Sequence, residues 1–75
     1  MDDIREAFRG VMLRDLRPIE DKDGVRIGED VRIYKEKEGY VLRFLKGTDE
    51  KRRKQIRDRL QVHQIAFQEG KDFVL

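Results

Sequence analysis

Seventy-five residues and 9.0 kDa leave room for one domain, taken as 1–75. Lys and Arg total 18 against 16 Asp and Glu, and the formal charge is +2. With no Cys and no apolar run longer than a few residues, this composition excludes a multidomain enzyme, a disulfide scaffold, a Cys-ligated zinc module and an apolar membrane-spanning helix.

The charge is uneven. Residues 1 to 30 hold nine acids and six bases, whereas residues 31 to 75 hold twelve bases and seven acids. An anionic partner is therefore sought on the later part of the chain. The acidic start, Met1-Asp2-Asp3-Ile4, lacks the apolar stretch of a signal peptide, and the lack of Cys fits a reducing compartment. The expected location is cytoplasmic.

In chain order, the spacing predicts a helix from 3 to about 16. Ile4, Ala7, Phe8, Val11, Met12 and Leu16 form one stripe, Asp3 stands in the capping position, and Pro18 ends it. Ile19 to Gly24 reads as a turn. From Val25 the period becomes two, with Val25, Ile27, Val31 and Ile33 alternating with Arg26, Arg32 and Tyr34. Gly28-Glu29-Asp30 either bends one strand or splits it. Residues 31–36 and 40–46 are expected to pair as an antiparallel hairpin. Thr48 reads as the cap of a second helix, with Asp49 and Glu50 in its first turn. The stripe Ile56, Leu60, His63, Phe67 carries that helix to about 68, where Gly70 stops it. A competing reading ends it near Gln61, makes 62–67 a strand, and turns at Glu69-Gly70. Phe73-Val74-Leu75 is too apolar for a free tail and reads as a short terminal strand.

The fold expected is thus a small two-layer α+β domain. It has an N-terminal helix, an antiparallel meander of two to three strands, a long C-terminal helix and a short terminal apolar strand. Either about fifteen apolar side chains form its core or a second subunit helps to stabilise it. The order helix, three strands, basic helix resembles the layout of double-stranded-RNA-binding domains. The resemblance is one of element order, and no residue role follows from it.

Catalytic chemistry has little raw material. There is no Ser and no Cys, and the only hydroxyls are Thr48, Tyr34 and Tyr40. The one imidazole, His63, falls on an apolar stripe and reads as a packing residue. Asp21, Asp23, Gly24 and Asp30 imitate a calcium loop. The first ligand position would be Ile19, however, and the last Asp30 instead of Glu, so a solvated turn is the better reading. A non-catalytic protein without cofactor or metal is expected.

The positive signal is the run Lys51, Arg52, Arg53, Lys54, Arg57 and Arg59 on the second helix. If Val31, Ile33, Leu42 and Phe44 face the core, Arg32, Tyr34 and Arg43 face outward with Arg26. This mix can contact a phosphate backbone and stack on bases. The leading expectation is a small regulatory protein, read from its size alone as coming from a phage or a mobile element, that contacts DNA or RNA through its basic helix. The blander reading is a solvated helix whose charges pair at four-residue spacing, as Glu50–Lys54 and Lys54–Asp58 can. The alternative function is docking on a larger protein, as inhibitor or adaptor. Val41, Leu45, Phe73, Val74 and Leu75 would supply the apolar interface for it, or for a homodimer through the sheet edge or tail. No membrane partner is expected.

Overall fold

A computed structural model describes residues 2–9, 15–20 and 22–75. Among them the chain forms α1 (Asp2–Ala7), β1 (Leu16–Pro18), β2 (Gly24–Ile27), β3 (Val31–Glu36), β4 (Gly39–Phe44), α2 (Glu50–Val62) and β5 (Phe67–Glu69). All five strands join one sheet in the order β1-β2-β3-β4-β5. The first four form an antiparallel meander, and β5 runs parallel to β4. The α2 crossover imposes that direction, since a helix carries the chain back to its starting end before the next strand begins.

The α+β class and the two-layer plan are as expected, but the sheet has five strands instead of two to three. Two strands come from segments read as helix. Leu16–Pro18 pairs with Val25–Ile27 as β1. Proline is tolerated there because β1 is an edge strand with one side free of ladder partners. The predicted helix beyond Arg9 falls on 10–14, outside the described residues. The second gained strand, β5, follows from an early end to α2, which favours the competing reading of where that helix stops, but it lies at Phe67–Glu69 and not at 62–67, and the expected terminal strand at 73–75 is reduced to a single bridge from Phe73 to Leu45. The extra strands also remove the likeness to the double-stranded-RNA-binding layout.

Local chemistry explains these boundaries. Gly28 has φ +62 and splits β2 from β3, a conformation that costs glycine little. Asp49, and not Thr48, caps α2, and its carboxylate accepts from the Arg52 N–H at 2.8 Å. The Thr48 hydroxyl donates instead to the Leu45 carbonyl at 2.7 Å. At the other end, the Ile65 N–H reaches the Leu60 carbonyl and the Gln64 N–H reaches that of Gln61. This is a Schellman closure with Gln64 at φ 58 in the place usually held by glycine. His63 is the exposed C-cap of α2 and does not pack in the core. Asp3 lies inside α1, and its carboxylate accepts from the Tyr40 hydroxyl at 2.9 Å. That bond holds Asp3 below its ordinary value, while burial and then Asp3 itself push the Tyr40 phenol up to about 12.

Both helices lie on one side of the sheet. Ile4, Ala7 and Phe8 from the first helical segment, and Ile56 and Leu60 from α2, meet Val25, Ile27, Val31, Ile33, Leu42 and Phe44 from the strands. Fourteen apolar side chains are buried among the described residues, close to the expected core. The other face of the sheet carries no helix among the described residues.

Candidate nucleic-acid interface

Strand alternation decides what the open face displays. Val25, Ile27, Val31, Ile33, Leu42 and Phe44 are buried, so Arg26, Arg32, Tyr34, Val41 and Arg43 point the other way. The register then aligns the arginines. Arg17 faces Arg26, Arg26 faces Arg32, and Arg32 faces Arg43. Four guanidinium groups thus form one cross-strand row over β1 to β4, about 14 Å long at the normal strand spacing. The adjacent row holds Gly24, Tyr34, Val41 and Gln68. On the other side of the arginines, Leu45 bridges to Phe73.

The row is held by the C-terminal segment at one end and open at the other. The Arg43 Nε donates to the Lys71 carbonyl at 2.8 Å. The Arg32 guanidinium stands 4.7 Å from the centre of the Phe73 ring. Gly70 passes so close that a Cβ there would lie 3.2 Å from side-chain carbons of both Arg43 and Val41. None of the four row arginines has an acidic partner among the described residues. Lys22 adds a fifth cation beside the row, 5.4 Å from the Tyr34 ring centre.

The helical run is arranged differently. Arg52 pairs with Asp30, Arg53 with Asp72, Lys54 with Asp58, and Arg57 with both Glu50 and Glu69. Arg59 donates to the Ala7 carbonyl, where it satisfies the end of α1. Lys51 alone among the six lacks such a contact among the described residues. The pairs register in the proton affinities. Hydrogen bonds to Arg57 and Arg53 pull Glu69 and Asp72, respectively, below their ordinary values. Their partners are raised in turn, with Arg57 held chiefly by Glu69 and then Glu50, Arg53 by Asp72 and Lys54 by Asp58. Arg53 and Arg57 also lie 5.1 and 5.8 Å from the Phe44 ring centre. These cations fasten α2 to the strand and tail that follow it.

The residues read from sequence therefore divide. Arg32, Tyr34 and Arg43 come together on the open face, while Arg52, Arg53, Lys54, Arg57 and Arg59 are engaged within the molecule. Arg17 was missed, because its segment reads as the end of a helix. Arg26 was noticed, but its place in a row depends on register, which one strand alone does not encode. Of the apolar set, Val41, Leu45 and Phe73 are half-buried on the open face, and Val74 and Leu75 are 73% and 85% exposed.

A hollow of about 560 Å³ opens beside the β3–β4 turn and the start of β5. Its charged side chains, Glu36, Lys37 and Glu38, are exposed. No group of three or more metal-ligating side chains occurs among the described residues, and no helix there is long and apolar enough to cross a membrane. No protein-family model, curated protein or solved structure matches the chain.

Proposed function

We propose that this protein is a non-catalytic nucleic-acid-binding module that works through the open face of its sheet, with Arg17, Arg26, Arg32 and Arg43 on phosphates. The observation that carries this reading is the row itself. Like charges placed opposite one another on adjacent strands oppose folding. Here three such pairs are stacked in register, with no ion pair to an acid among the described residues. A polyanion offsets that repulsion and gains further by releasing its own counterions. Arginine suits the task, because its planar fork matches phosphate oxygens two at a time. This reading moves the contact surface from the basic helix, where Arg52, Arg53, Lys54 and Arg57 already have acidic partners, to the sheet.

The test is fluorescence anisotropy with labelled DNA and RNA oligonucleotides across a salt series. Wild type binds near 50 mM salt with log K falling steeply against log salt. The double variant Arg17→Gln, Arg26→Gln weakens binding to every sequence and flattens the slope by roughly 1.4 to 1.8, the value for two lost phosphate contacts. Absence of binding by wild type at that salt rejects the reading.

A second reading, docking on a partner protein or a second copy, draws on the exposure of Val62, Val74 and Leu75, each above 70%. The solution mass of the nuclease-treated protein, measured by light scattering, checks the homodimer form of it.

A further inference from the structure

We infer that the nucleic acid taken by this face is single-stranded, with its backbone along the arginine row and a base stacked on Tyr34. The inference rests on the nucleic-acid reading above and narrows it to one substrate class.

The first argument is geometric. A major groove about 12 Å wide admits a helix or a two-stranded ribbon. The five strands of this sheet, in order β1 to β5, span about 19 Å side by side, so the face is too wide for an undeformed major groove. The basic helix α2, which is narrow enough to enter, has its Arg52, Arg53, Lys54 and Arg57 committed to acids of the same chain. A flexible single strand needs no groove and can lie across an open sheet.

The second argument is the placing of the aromatic group. Tyr34 lies two residues along β3 from Arg32, on the same face, at a step of about 6.7 Å. That step is on the scale separating a nucleotide's phosphate from its base. The cross-strand neighbours of Tyr34 are Gly24, which has no side chain, and Val41, which is compact. The half-buried ring has the Ile19 side chain near it above Gly24 and the Lys22 ammonium over it, 5.4 Å from its centre, a cation that an incoming base would shift toward its own phosphate. A ring next to a line of cations is the arrangement by which sheets hold single strands with little sequence preference.

The experiment uses Tyr40→Phe protein, in which Tyr34 is the only tyrosine left in a chain without Trp. Circular dichroism verifies its fold. The probes are oligo(dT) and oligo(U) of about 12 nucleotides, and a blunt DNA duplex of equal length, at about 50 mM salt. The expected result is quenching of Tyr34 emission by the single strands and at least about tenfold weaker binding of the duplex. Tyr34→Ala in the wild-type background then weakens oligo(dT) binding by about tenfold while leaving the salt slope unchanged. Equal affinity for duplex, unquenched Tyr34 emission, or a Tyr34→Ala variant that binds like wild type overturns the single-strand inference. Continued sensitivity to Arg17→Gln and Arg26→Gln in that case leaves the phosphate-binding role standing. Binding by none of the probes overturns both.

Discussion

The two basic regions of this molecule hold similar residues and use them in opposite ways. On α2, cations outnumber acids along the helix, yet Asp30, Glu69 and Asp72 come to meet them from elsewhere in the chain, beside Glu50 and Asp58 of the helix itself. On the sheet, Arg17, Arg26, Arg32 and Arg43 are dispersed through 27 positions of sequence, yet pairing gathers them into one line without a described acid. A linear cluster of charge therefore measures neither the local field nor the ligand site. What matters is whether folding brings opposite charge to it. The α2 cations other than Lys51 make contacts within the fold, whereas the sheet arginines form no ion pair among the described residues and, on the proposed reading, meet a partner.

The sharpest division of labour is tested in the core beneath the paired helix. Leu60 is fully buried and also supplies the carbonyl that receives the closing Ile65 N–H. Leu60→Ala removes buried methyl groups and costs about 3 kcal/mol, a large share of the stability of so small a domain. Urea unfolding should show a midpoint shift of that size. Below the transition, the variant should retain the oligonucleotide affinity of the sheet face. A variant that stays folded but loses binding would couple the packing of α2 to the ligand face and break the distinction.

The next effect is pH. Glu69 and Asp72 are held below their ordinary values of 4.5 and 3.8 by Arg57 and Arg53. For carboxylates with lowered folded pKa values, the stabilisation is complete above those ordinary values and is lost as pH falls through the lower folded ones. Below about pH 4.5, the attachment of β5 and the tail to α2 should therefore loosen. The Gly70 and Phe73 amides, bonded to the Leu42 and Phe44 carbonyls, are the reporters. Their hydrogen-exchange protection should fall in acid before that of the β2–β3 amides. Arg57→Gln should mimic part of this at neutral pH, at a cost of about 1 kcal/mol. Uniform loss of protection across the sheet would mean that the pairs do not act locally.

The elements legible in sequence were those whose signal is local. The 31–36 and 40–46 hairpin appears as β3 and β4 because alternation and a turn suffice to define it. The outward set Arg26, Arg32, Tyr34 and Arg43 followed from the same alternation. Leu16–Pro18 was not legible as a strand, since three residues beside a proline carry little pattern and gain their pairing from β2. The ion pairs across α2 were hidden because Arg52 and Asp30 lie 22 positions apart, and Arg53 and Asp72 lie 19 apart. The end of α2 was hidden for another reason. Gln64 occupies a backbone position that normally announces itself as glycine.

That last feature gives the smallest effect and a clean control on the comparison. Gln64 adopts φ 58 at the closure of α2, where its Cβ is strained and a glycine would not be. Gln64→Gly relieves the strain but adds chain entropy to the unfolded state, so the net gain should be about 0.5 to 1 kcal/mol. Its side chain is exposed, and no hydrogen bond or ion pair of that side chain is lost with it. Chemical unfolding should show the higher midpoint with an unchanged slope. Because the substitution strengthens only the helix closure, oligonucleotide affinity and its salt slope should not move. If stiffening this corner altered binding, the helix and the sheet face would be energetically coupled, and the cations of α2 could no longer be assigned to folding alone.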